Sequence, residues 1–105
     1  MLLSENTCSA AEDFLIVLKE RKDRPVFIGR PTMGSTGSPL LLDKFPENGV
    51  AKVCTRRVLY PYSMKSFTEG IAPDILVNYS LNEFLNQSTD KDVDSAVELI
   101  TKQMK

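Results

Sequence analysis

A chain of 105 residues, 42% hydrophobic and 26% charged, has room for one domain or part of one, with little apolar surplus beyond a single core. Its 13 basic and 14 acidic groups leave a net charge of -1, which gives no pull toward nucleic acid or an anionic membrane. The absence of histidine removes the usual general base from any Ser-His or Cys-His pair made within the chain. Two cysteines without histidine make neither a disulfide framework nor a zinc-ligand set, so no metal or cofactor is expected.

The opening "MLL" reads as the last residues of an apolar strand, so the chain is expected to start inside its own fold. "MLLSENTCSA" has no basic n-region and too short an apolar block for a signal peptide, and no apolar run approaches the roughly 20 residues that cross a bilayer. From Ser9 onward, Ala11, Phe14, Leu15 and Leu18 recur at helical spacing, with acids early and bases late, which predicts an amphipathic helix stopped by "DRP" at Pro25. "PVFIG" reads as a short buried strand and "RPTMGSTGSP" as a loop. "LLLDKF" and "GVAKVCTRRVLY" read as strands of a hairpin joined by "PENG", whose Asn-Gly pair is a short-turn signal. "YPYSMKSFTEGIAPD" is an irregular connection in which Asp74 shapes the turn into a further strand, "ILVNY". Leu81, Phe84 and Leu85 suggest one or two helical turns. From Thr89 the apolar positions Val93, Ala96, Val97 and Ile100 share one face of a closing helix. The order of elements is α/β, with mixed short strands, a hairpin and three helices.

Ser9 and Glu12 form S-x-x-E, the capping-box spacing, which recurs at Ser66/Glu69 and Ser80/Glu83. Spacing alone therefore makes Ser9 a helix cap. A serine at the mouth of a helix nevertheless faces unpaired N–H groups and the positive end of the helix dipole, a setting that suits an oxyanion, and Ala10 and Ala11 leave room for substrate. Cys8, a lone thiol without histidine, reads as a small buried hydrophobe. "GSTG" at 34–37 lacks the lysine and spacing of a nucleotide-binding loop, and Arg56–Arg57 reads as a solvated strand face.

In order, "SAAEDF", "IGRPTMGSTGSP", "CTRRVLYPYSMKSF", "GIAPDILV" and the helical tail resemble the C-terminal half of the catalytic domain of the C-terminal processing (tail-specific) protease family, in its tricorn-like branch. The resemblance spans nearly the whole chain, residues 1–105, and implies a partial crotonase-like (ClpP-like) α/β sandwich. It implies Ser9 as nucleophile, Ala10 as an oxyanion-hole N–H, and Gly34, Ser35, Thr36 and Gly37 as a substrate-side loop. Ser35 stands where the Ser-Lys branch carries its lysine and cannot act as a base. The tricorn-like branch takes a histidine from the N-terminal half of its domain, and Glu69 is the carboxylate nearest to its acid.

The resemblance further implies a peptide or protein substrate, a missing N-terminal half as partner, an inactive isolated fragment, and an extracytoplasmic or periplasmic parent. A truncated sheet predicts self-association or low stability. The competing readings are a non-catalytic binding module with Ser9 only a cap and, behind it, a crotonase-type acyl-thioester enzyme, which needs the oxyanion hole but no nucleophilic serine.

Overall fold

The computed structural model describes residues 1–86 and 89–105. The elements run β1 (Leu2–Leu3), α1 (Ala10–Lys19), β2 (Ile28–Gly29), β3 (Pro39–Leu42), β4 (Ala51–Cys54), β5 (Ile75–Leu76), α2 (Leu81–Asn86) and α3 (Lys91–Gln103). β1, β2 and β5 form a parallel sheet in that order, with Leu2 opposite Ile28 and Ile28 opposite Ile75, while β3 and β4 form a separate antiparallel hairpin. The architecture is thus the mixed α/β arrangement that the order of elements predicts.

The parallel strands are short because side chains intercept their ends. Asp74 takes the Phe27 N–H at 2.8 Å and binds the Arg24 guanidinium at 2.6 and 2.8 Å, so it clamps the entry to β2 against the entry to β5. Gly29 closes the strand with φ 127°. A Cβ there would lie 2.0 Å from the Leu3 carbonyl oxygen, so only glycine lets β1 and β2 come this close.

Helix α1 ends at Lys19, short of Pro25, because the chain turns out at Glu20, whose carboxylate accepts the N–H groups of Tyr62 and Ser63. Its buried stripe is also rotated from the expected one. Glu12, Leu15 and Ile16 face inward, whereas Ala11 and Phe14 are exposed. Leu3, Leu15, Ile16, Phe27 and Ile71 make the core, with Tyr60 and Phe67 packed edge to face beside it at 6.1 Å between centroids.

The hairpin forms, but not through an Asn-Gly turn. Leu42 pairs with Ala51, and the connection passes through a single 3-10 turn at Pro46–Asn48. The left-handed positions are Glu47 and Asn48, whereas Gly49 is extended. The ladder stops at Cys54; a lone antiparallel bridge, Leu59 to Ser66, follows it in the segment predicted as one long strand.

Among the recurrences of S-x-x-E, Ser80 and Glu83 make the reciprocal cap bonds at the start of α2, and Ser66 lies in the bridge with Glu69 outside any helix. α3 starts at Asp90, whose carboxylate accepts the N–H groups of Asp92 and Val93. It docks through Asp92, which meets Arg30 at 3.0 and 3.1 Å while that guanidinium stacks 4.8 Å from the Tyr79 ring. Its apolar face points outward: Val93, Val97 and Ile100 are exposed, as are Leu81, Phe84 and Leu85 of α2. The molecule is a slab of 60 × 39 × 15 Å with a radius of gyration of 17.4 Å, against about 13 Å for a closed domain of this length.

Candidate active site

The N-terminus of α1 and the loop after β2 meet at Ser9. A turn joins Ser4 to Thr7, the chain reaches Ser9, and the helix begins at Ala10. Ser9 has φ 55° and ψ -124°, a conformation that glycine accepts and residues with a Cβ rarely adopt. The turn is therefore sharp, and it leaves Ser9 and Ala10 exposed at the helix mouth. Among the described residues, the Ala10 N–H has no hydrogen-bond acceptor. Ser9 stands in the capping-box arrangement with Glu12, yet its hydroxyl makes no side-chain cap hydrogen bond of normal geometry.

What holds the turn is Glu12. Its carboxylate is sealed from solvent and accepts four donors: Oε1 takes the Thr32 hydroxyl at 2.6 Å and the Gly34 N–H at 2.7 Å, and Oε2 takes the Ser35 N–H at 2.9 Å and the Ser9 N–H at 3.3 Å. Thr32 in turn accepts the Ile71 N–H at 2.8 Å. The Ser9 N–H is shared with the Ser35 carbonyl oxygen at 2.9 Å, and the Met33 N–H reaches the Thr7 carbonyl at 3.0 Å.

The structure thus brings together Ser9, Ala10, Gly34, Ser35 and Thr36. Ser35 joins through its backbone, and the Thr36 hydroxyl donates to Asp13 at 2.5 Å. Gly34, at φ 75°, must be glycine: a Cβ would meet the Gly70 nitrogen at 2.8 Å and the Glu69 carbonyl carbon at 3.1 Å. Glu69 accordingly lies beside the loop through its backbone, with an exposed side chain. Gly37 abuts the Cys54 thiol at the base of the hairpin, and Cys8 is half-buried.

The hub role of Glu12 escaped the sequence reading, which saw only a capping spacing. The available signal was its place on the same helical face as Leu15 and Ile16. Among the described residues no cluster of His, Cys, Asp or Glu could hold a metal ion, and no helix is long and apolar enough to cross a membrane.

Comparison with solved structures finds a crystal structure from Parabacteroides merdae, described as a candidate peptidase, with a TM-score of 0.73 and 22% identity over 93% of this chain. The likeness covers 30% of that protein's chain, so the present chain corresponds to under a third of its length. No curated protein matches. The model of peptidase family S41 matches residues 1–77, the span that holds β1, the Ser9 turn, the Glu12-bound loop, the hairpin and β5. The chain belongs to peptidase family S41.

Proposed function

We propose that this chain is the nucleophile-bearing, C-terminal part of the catalytic domain of a serine-type peptidase of the tail-specific kind, built on a crotonase-like sandwich. The observation that carries the reading is the Ser9 turn: an exposed serine at positive φ, at the mouth of a helix, beside an uncommitted Ala10 N–H. A sharp, strained turn into a helix is how serine hydrolases of other folds present their nucleophile. Ser9 Oγ attacks the peptide carbonyl, its proton passes to a base supplied from outside this chain, and the carbonyl oxygen becomes an oxyanion facing the Ala10 N–H and the helix dipole. Gly34 to Gly37 line the substrate side, and Glu69, whose backbone packs on Gly34, is the carboxylate that the family resemblance puts nearest to the acid of the tricorn-like branch.

The preceding half of the domain is the partner this reading requires. It supplies the base and covers the exposed faces of α2, α3 and the hairpin, and without it the chain is inactive. The test is labelling of the intact peptidase by a fluorophosphonate probe: Ser9→Ala abolishes labelling if the reading is right, and undiminished labelling of that variant sinks it.

The capping-box arrangement of Ser9 and Glu12 favours a second reading, a non-catalytic module of the same fold. It predicts that neither the wild type nor the variant is labelled, and that the preceding half also lacks a base.

A further inference from the structure

We infer that Glu12 is a positioning residue for the Ser9 nucleophile, a role that rests on the reading of Ser9 given above. A buried carboxylate is ordinarily matched by a cation. Among the described residues Glu12 has no such partner, and all four of its donors are neutral: one hydroxyl and three backbone N–H groups. An ionised carboxylate has two oxygens with about two acceptor sites each, and each oxygen of Glu12 receives two donors. The acceptor capacity is filled by directional bonds, which fix the geometry of whatever donates them.

The donors belong to the two segments that must stay in register for attack on a carbonyl. On one side is the Ser9 N–H, which precedes the strained φ. On the other are Gly34 and Ser35, the start of the substrate-side loop, and Ser35 closes the circuit by accepting the Ser9 N–H with its own carbonyl. Glu12 therefore sets the distance between nucleophile and loop, and holds Ser9 at φ 55° against relaxation into an ordinary helix entry. A helix anchor alone would need only the Ser9 bond of the capping box; the bonds to Gly34 and Ser35 serve the loop. Thr32 extends the arrangement by orienting Glu12 Oε1 while bonded to Ile71 in the core.

The experiment compares the intact peptidase with Glu12→Gln, Thr32→Val and Thr32→Ser, reading the rate of fluorophosphonate labelling together with kcat and KM on a peptide. In either amide orientation a glutamine places an NH2 group where at least one backbone N–H donor now points. The expected result is a labelling rate and kcat reduced about tenfold to a hundredfold with a smaller rise in KM, since the lost bonds loosen the Gly34–Ser35 loop but act foremost on the strained turn that carries the attacking group. Thr32→Val lowers the rate in the same way and Thr32→Ser, which keeps the hydroxyl, restores it; this pair decides the matter if Glu12→Gln does not fold. Wild-type labelling of Glu12→Gln, or equal rates for the two Thr32 variants, alongside a silent Ser9→Ala, overturns the positioning role alone. Undiminished labelling of Ser9→Ala overturns the role and the nucleophile reading together.

Discussion

The Thr32 hydroxyl lies 2.6 Å from Glu12 Oε1, and both side chains are sealed from solvent, so the pair joins the first helix to the loop after β2 inside the core. Thr32→Val replaces the hydroxyl by a methyl of similar size, removing one donor from a buried carboxylate and stranding the Ile71 N–H. The expected loss is about 1–3 kcal/mol of unfolding free energy in urea titration of the intact protein. A loss near zero means that water enters to satisfy both groups.

Backbone strain at Ser9 predicts an ordering of two substitutions. Ser9→Gly accepts φ 55° without a Cβ and is more stable than Ser9→Ala by about 1 kcal/mol, even after the extra freedom glycine gives the unfolded chain. Thermal unfolding of both variants checks this, and an alanine variant as stable as the glycine variant removes the strain.

Asp74 gives the molecule an acid-sensitive clamp. The Arg24 guanidinium holds its carboxyl well below the usual aspartate range against an opposing burial cost, and the Phe27 N–H and Lys19 add to the effect. A folded-state pKa below the unfolded value stabilises the fold above the unfolded pKa, near 3.8, and that contribution drains away as pH falls below it. Asp74→Asn therefore flattens the acid limb of the stability profile below about pH 4 while leaving its neutral slope alone. An unchanged limb in chemical denaturation from pH 2 to pH 6 counts against the clamp.

The exposed apolar surface predicts association of the isolated chain. Leu41 on the hairpin and Val97 on α3 are 52% and 57% exposed, and neither contributes to the core. Sedimentation of the chain alone shows mass rising with concentration, and Leu41→Lys with Val97→Lys reduces it without lowering the unfolding midpoint. A monomer at every concentration argues that these faces need no cover.

The helices were legible because their signals are local: acids before bases in α1, and a 3.6-residue apolar period in α3. Their orientation was less so. In α1 the bonds to Glu12 turn a carboxylate inward and Phe14 outward. In α3 the Arg30–Asp92 contact turns the side of Asp92, Ser95, Ala96 and Leu99 inward and leaves Val93, Val97 and Ile100 facing away. The hairpin was legible as two apolar runs, but its turn was not, since the pairing of Leu42 with Ala51 overrides the Asn-Gly preference. Of the site, Ser9 and the glycine loop could be named from order and resemblance. The hub that joins them could not, because Glu12 meets Thr32, Gly34 and Ser35 only after a long loop closes.

The parallel sheet has a consequence for how the chain comes to be folded. Its three strands are two residues each and are drawn from the first residues, the first third and the last third of the sequence. None can persist on its own, and none has its neighbour nearby along the chain, so loop closure must precede any gain from pairing. During synthesis α1 emerges after β1 but before β2, and β2 waits for β5. The Ser9 turn, strained and dependent on Thr32 and Ile71, is therefore assembled late, only after Ile71 has left the ribosome.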